Sequence, residues 1–235
     1  MQVKALGKYG RFAPINEATN AYLFITKNEK KFIVDFGAGA LSELQKYSTI
    51  LDIEAIILTH LHYDHISDMG TLGYCVGYLG GDKIKVYAPT TPTSTLDILK
   101  SNSFDLNVLD ESLELNIDNV RITFMQSVHP IETYAVRMEF SEKTLVYTSD
   151  ISSEEVLCKN VVNADYVIGD ACILDKKDYD DKAPHISVKN LAKSMPNKTK
   201  LYLAHLDKKI EKETLDEAIK MHKNTELIKD FEVIE

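Results

Sequence analysis

Short apolar runs alternate with polar turns along the chain, and the period of each run sorts it into strand or helix. Ala21–Thr26 and Lys31–Phe36 read as two strands joined in a hairpin by Lys27, Asn28, Glu29 and Lys30. Gly37, Ala38 and Gly39 then turn the chain into a helix near Leu41–Tyr47. Ala55–Leu58 is β-branched, short and bounded by a polar loop, the mark of a buried strand. Met69–Leu79 carries apolar groups at helical spacing and stops at Gly80 and Gly81, and Lys83–Ala88 is a further strand. The middle is richer in strands: Leu113–Ile117, Val120–Val128, Thr133–Phe140 and Thr144–Thr148, with turns at 117–119 and 141–143. Helices near Ser153–Val161, Ser187–Met195 and Glu211–Lys223 then alternate with strands Tyr166–Gly169 and Lys200–Ala204, and a closing strand lies near Phe231–Ile234. Strands grouped in both halves with helices between them suit two packed sheets with helices outside.

No linker-like tract, repeat or low-complexity stretch divides the 235 residues, so one domain spanning 1–235 is expected. Hydrophobic content of 44% fits a globular protein. The start, MQVKALGKYG, lacks the apolar core of a signal peptide, and no run approaches the roughly 18 residues of a membrane span. The expected location is therefore the cytoplasm, without membrane partners. Cys75, Cys158 and Cys172 lack a paired spacing, which suits a reducing compartment and small core residues. Asp and Glu number 36 against 27 Lys and Arg, a net charge of -9 that weighs against a nucleic-acid partner. A small anionic substrate remains compatible, because bound metal ions reverse the local charge. The charged segments Lys27–Lys31 and Asp175–Lys182 mix both signs and read as solvated loops.

Thr59, His60, Leu61, His62, Tyr63, Asp64 and His65 directly follow the Ala55–Leu58 strand. A lone loop histidine is usually a solvated polar residue, but three with a carboxylate at this spacing point to a metal site. In extended backbone the side chains alternate, so His60 and His62 face one ion while Asp64 and His65 turn toward a second. The other histidines are His129, His185, His205 and His222. His129 and His205 follow strand-like runs, as does Asp150, and side chains at strand ends are held by the sheet behind them. Two divalent ions roughly 3.5 to 4 Å apart can share a hydroxide and clamp a phosphoryl or carbonyl oxygen. Such imidazole and carboxylate ligands suit zinc, manganese or iron. His222, in a charged helix, reads as a surface residue.

This pattern resembles the metallo-β-lactamase superfamily, and more closely its ribonuclease Z-like branch. The HxHxDH motif is intact at 60–65, His129, Asp150 and His205 follow in the family's order, and Asp35 matches its early aspartate. The resemblance spans almost the whole chain and implies an α/β, four-layer αββα sandwich. Carried over, it implies that His60, His62 and His129 bind a first metal and Asp64, His65 and His205 a second, with Asp150 bridging and zinc the leading candidate for both ions. The bridging Asp150 and the second histidine of the pattern separate this chain from true lactamases and from the redox members. Asp35 is implied to orient a ligand imidazole from behind. Pro184–Val188 resembles the branch's HST-like segment, with Ile186 departing from it, and Asp170 stands where the branch carries a glutamate. His185, Asp64 and Asp170 are therefore the implied catalytic residues, His185 assisting the leaving group.

Nothing in the chain has the Gly- and basic-rich composition of the arm that grips tRNA in ribonuclease Z proper. The expected function is thus a dinuclear phosphodiesterase acting on a small or cyclic phosphodiester, in which a bridging hydroxide attacks phosphorus. A thioester or lactone hydrolase on the same metals, ribonuclease Z-like RNA processing, and a metal-bound sensor protein are the rivals. A small molecule is the expected partner, and a homodimer is the oligomer left open.

Overall fold

In β2 (Ala21–Ile25) every residue is buried, and in β3 (Lys31–Phe36) all but the first, so these strands need cover on both faces. The computed structural model, which describes residues 1–175 and 183–233, covers one face with a second sheet and the other with helices. With strands numbered along the chain, the first sheet runs β14 (Phe231–Glu232), β1 (Gln2–Gly7), β2, β3, β4 (Ile53–Ile57), β5 (Ile84–Ala88), β6 (Phe104–Val108). The second runs β13 (Thr225–Leu227), β12 (Lys200–Ala204), β11 (Tyr166–Asp170), β10 (Lys143–Tyr147), β9 (Tyr134–Phe140), β8 (Val120–Gln126), β7 (Glu114–Ile117). Each sheet changes from antiparallel to parallel pairing, at β3 in the first and at β10 in the second.

Parallel neighbours need crossovers, and the helices supply them. α1 (Ala40–Leu44) lies between β3 and β4, α2 (Tyr63–Ile66) and α3 (Met69–Leu79) between β4 and β5, and α4 (Thr93–Leu96) between β5 and β6. α5 (Glu154–Asn160), α6 (Val188–Lys193) and α7 (Glu211–Met221) connect the parallel strands of the second sheet. Local chemistry marks their ends: Ser153 and Ser187 accept from Val156 N and Asn190 N as N-caps, and Gly80 closes α3 with φ 71°.

Strand alternation divides the core into layers. Tyr22, Phe24, Phe32, Val34 and Ile57 share an inter-sheet cluster with Ile122, Val136, Met138, Leu145 and Tyr147. The residues between them, Leu23, Ile33 and Ile56, pack outward with Leu44, Leu72 and Val76. Val146, Val167, Leu201 and Leu203 do the same with Leu157, Leu191 and Ala218. Each fully buried Leu, Ile, Val or Phe contributes about 1.5–3 kcal/mol. The result is a four-layer αββα sandwich, as expected.

Several expectations need correction. The strand foreseen over Val120–Val128 ends at Gln126, and Val128 lies exposed in the following loop. The helix foreseen over Leu41–Tyr47 stops after Leu44, and three strands, Gln2–Gly7, Phe104–Val108 and Thr225–Leu227, lacked a recognisable pattern. Cys158 is exposed and Cys75 half-buried, so of the cysteines only Cys172 is a buried one. The charged segment at 176–182 and Ile234 of the closing strand lie outside the described residues. Among those residues no helix is long and apolar enough to cross a membrane.

His222 is also corrected, because it is buried rather than at the surface. The helix ends at Met221, and His222 takes extended backbone that turns its ring inward, where Nε2 donates to Thr199 O at 2.7 Å. Asn224 Nδ2 donates to the same carbonyl at 3.1 Å. His222→Ala should lower stability by about 1–3 kcal/mol in urea unfolding, since it removes a buried hydrogen bond and a packed ring.

Candidate metal centre

The C-terminal ends of the parallel strands meet where the two sheets face each other, the usual place for ligands in such sheets. From the first sheet, Leu58 N–H still bonds Tyr87 O at 2.8 Å, and the chain then leaves the sheet. Thr59 donates N–H and Oγ–H to Asp35 Oδ1 at 2.8 and 3.0 Å, which anchors the loop holding His60 and His62. His62 is extended and starts α2, whose first turn carries Asp64 and His65. From the second sheet come His129 in the β8–β9 loop, Asp150 after β10, Asp170 at the end of β11 and His205 after β12. Asp35, Ser149 and His205 adopt positive φ of 57°, 52° and 52°, so this edge carries strained backbone.

His60 Nε2 and His129 Nε2 lie 3.1 and 3.0 Å from His62 Nδ1. His129 Nδ1 donates to Pro184 O at 3.0 Å, which leaves the Nε2 lone pair facing the other rings. His65 Nδ1 is likewise held by Asp35 Oδ2 at 2.7 Å, which turns its Nε2 toward Asp150 Oδ1 at 3.4 Å. His205 Nε2 lies 3.1 Å from Asp64 Oδ2 and 3.5 Å from Asp150 Oδ1. Potential ligand atoms fall into overlapping groups, including His60, His62, His129 and Asp150, and Asp64, His65 and His205. The structure thus brings together all seven residues foreseen as ligands.

A divalent cation fits this arrangement. Two imidazole nitrogens, of His60 and His129, lie within 3.1 Å of His62 Nδ1, where lone pairs repel unless a proton or a cation lies between them. Asp150 Oδ1 is buried and accepts no hydrogen bond, the state of an oxygen reserved for another partner. Nitrogen and carboxylate oxygen donors suit zinc, manganese or iron.

Electrostatics divides the cluster in two. Burial and repulsion from neighbouring rings hold the His60, His62 and His129 imidazoles below their ordinary pKa, which disfavours their protonation. Burial also opposes charge on His65 and His205, but Asp150 and Asp35 together outweigh it at His65, pushing it up to about 10, and Asp150, Cys172, Asp170 and Asp64 together raise His205 well above its ordinary value. Burial acts against the Asp150 and Asp64 carboxylates too, yet the surrounding imidazoles hold both well below the usual carboxylate range. Protons here balance negative charge that a cation would otherwise balance.

His185 and Asp170 form a separate buried pair, Nδ1 to Oδ2 at 2.8 Å. Against burial, Asp170 raises His185 to about 11, and His185 holds Asp170 down to about 2. Cys172 sits beside them, its thiol brought down to about 7 by His205 and His185 against the effect of burial. Other polar residues escaped the sequence reading. Tyr147 Oη donates to Asp35 Oδ2 at 3.0 Å, Ser149 Oγ donates to Thr59 Oγ1 at 2.7 Å, and Asn20 Nδ2 lies 3.1 Å from His65 Nε2. No motif marks them, since each reaches the site only through the fold.

The sequence pattern of a family described as Anti-Pycsar protein Apyc1 matches residues 1–233. The chain belongs to that family. Apyc1-family membership agrees with a 31% identity over 176 residues to "Probable metallo-hydrolase YhfI" of Bacillus subtilis, covering 72% of each chain. The crystal structure of the YhfI metallo-β-lactamase fold protein from the same organism superposes with TM-score 0.87 at 26% identity, covering 98% of this chain and 99% of that one. A ribonuclease Z of Methanopyrus kandleri is 29% identical over 55% of this chain and 47% of its own length. A structure described as a new diphosphatase from the PhnP family, at 17% identity, shares the fold with TM-score 0.75, covering 99% of this chain and 98% of that one. The Apyc1-family chain is therefore a metallo-hydrolase of the metallo-β-lactamase superfamily, in its ribonuclease Z-like branch.

Asp35 accepts from Thr59, Tyr147 and His65 at once, so Asp35→Asn must turn an amide donor toward one of these donors. Metal affinity should fall about 10- to 100-fold, measured by competition against a chromophoric chelator, because the His65 ring loses its orienting acceptor.

Proposed function

We propose that this chain is a dinuclear metal-dependent phosphodiesterase whose substrate is a small or cyclic phosphodiester. His60, His62 and His129 would hold one ion, Asp64, His65 and His205 the other, and Asp150 would lie between them. When bound, such ions supply a water of lowered pKa and electrophilic stabilisation of phosphoryl oxygens. The observation that carries the reading is the His185–Asp170 pair, which sits against the cluster yet outside the seven ligand residues, with the His185 ring 4.9 Å from that of His205 and 5.6 Å from that of His129.

Asp170 does three things for His185. It commits Nδ1 to a hydrogen bond, leaves Nε2 as the ring atom that can carry a proton to a leaving oxygen, and favours the protonated ring. Asp170 is itself held by Ile151 N–H at 3.1 Å and Cys172 N–H at 3.2 Å, so the pair is rigid. A departing alkoxide needs that proton, whereas a thiolate does not, which favours phosphodiesters over thioesters. The names ribonuclease Z and diphosphatase, carried by a relative and by a protein of like fold, both describe hydrolysis at phosphorus and support this reading. The net charge of -9 supports a small substrate over RNA.

Elemental analysis of protein purified without chelators should find two divalent ions per chain, and a ratio that stays at one under metal excess would remove the dinuclear reading. His185→Ala should keep its metals while losing about 10²- to 10⁴-fold in rate on a diester with a poor alkoxide leaving group. The loss should shrink with a nitrophenolate, and equal losses on both would make His185 structural. Precursor tRNA titrated at physiological salt should bind weakly; submicromolar, salt-sensitive binding would restore RNA processing as the function.

A further inference from the structure

One backbone segment touches Asp64 and His205 without contributing a ligand side chain. Residues 8–11 run beside the end of β12, with Leu206 N–H donating to Lys8 O at 2.9 Å and Gly10 N–H donating to Leu206 O at 3.1 Å. At Gly10 the backbone lies against the His205 ring, so a Cβ there would stand 2.5 Å from its Cε1, 2.7 Å from Nδ1 and 2.8 Å from Nε2. Any side chain larger than hydrogen must move the ring. The next residue, Arg11, takes φ 64° and aims its N–H at Asp64 Oδ2, 2.7 Å away.

We infer that residues 8–11 form a strap that positions His205 and Asp64 through backbone alone, and so sets the affinity of one of the two metal positions. The inference rests on the ligand assignment proposed above. Asp64 Oδ2, which the Arg11 amide holds, is also the oxygen that lies 3.1 Å from His205 Nε2 and 3.9 Å from His65 Nε2, so the strap fixes the oxygen that faces the other two ligands of its group. Arg11 N–H is a neutral dipole fixed by its neighbours, so it orients the carboxylate without cancelling its charge.

The strap is anchored away from the site. Tyr9 is buried, its hydroxyl donates to Glu211 Oε2 at 2.9 Å and accepts from Lys208 Nζ at 2.8 Å, and Lys8 Nζ reaches Glu211 Oε1 at 3.2 Å. Lys8 N–H and Tyr9 N–H both donate to Ala18 O, at 3.2 and 3.3 Å. None of the contacts described for this segment reaches His60, His62 or His129. A change in the strap should therefore be felt at one metal position and spared at the other.

The experiment titrates Zn(II) into chelator-stripped protein against a chromophoric competitor, resolving two affinities, with circular dichroism of the metal-free protein as a check on folding. Gly10→Ala should weaken one ion about 10- to 100-fold, the usual consequence of disturbing a group that orients a ligand, and leave the other at its wild-type affinity. Arg11→Pro, which deletes the N–H and cannot adopt the positive φ, should repeat that selective loss, while Arg11→Gly keeps both the N–H and the positive φ and should retain both affinities. Gly10→Ala binding both ions as the wild type does, or losing both equally, would overturn the strap. Wild-type protein that takes up only one ion would overturn the dinuclear reading itself, and the strap with it.

Discussion

A single buried carboxylate organises this site. Asp150 has oxygens 3.4 Å from His65, 3.5 Å from His129 and from His205, 3.6 Å from His60 and 3.9 Å from His185. An ionised carboxylate in such a place costs several kcal/mol unless opposite charge and hydrogen bonds compensate it. The imidazoles provide that compensation, and three of them are fixed from behind in turn: His65 by Asp35, His185 by Asp170 and His129 by a backbone carbonyl. Demand for charge balance thus spreads outward from Asp150 until it ends on Thr59, Tyr147 and main-chain groups held by the sheets.

Asp35 and Asp170 show how one pairing yields two outcomes. Each is fully buried, and each holds the Nδ1 of a histidine at 2.7 to 2.8 Å. His65 belongs to the HxHxDH loop and turns Nε2 into the cluster, whereas His185 arrives on the stretch before α6, at the side of the cluster. His65 faces Asp150 with Nε2 at 3.4 Å, whereas the His185 nitrogen that comes within 3.9 Å of Asp150 is Nδ1, already committed to Asp170.

Much of this was legible in the sequence because it depends on local pattern. Period-two runs revealed most strands of both sheets, and strand ends followed by His or Asp marked the residues that converge. Edge strands were harder to see: Phe104–Val108 mixes Asp105 and Asn107 with apolar positions, and Thr225–Leu227 is only three residues long. His222 misled because its helix stops at Met221, two residues short of the foreseen Lys223, which reverses the direction of its ring. The Arg11 amide and the missing side chain of Gly10 left no signal at all, since a main-chain donor and an absent Cβ look the same at every position until the fold brings them against a partner. Resemblance to a family supplied what spacing could not, namely which distant carboxylate stands between the two groups.

Each ligand group draws on both sheets. His60 and His62 follow β4 while His129 follows β8, and Asp64 and His65 lie on α2 while His205 follows β12. Neither sheet alone completes a coordination set. An ion held there would act as a staple between the halves, with no matching site in the unfolded chain. Its free concentration then becomes a thermodynamic variable of folding: a ligand present at 100 times its Kd adds about 2.7 kcal/mol to the native state. The melting temperature of such a protein is a property of its medium as much as of its sequence, and the supply of metal in a cell would govern how long the chain survives as well as how fast it works.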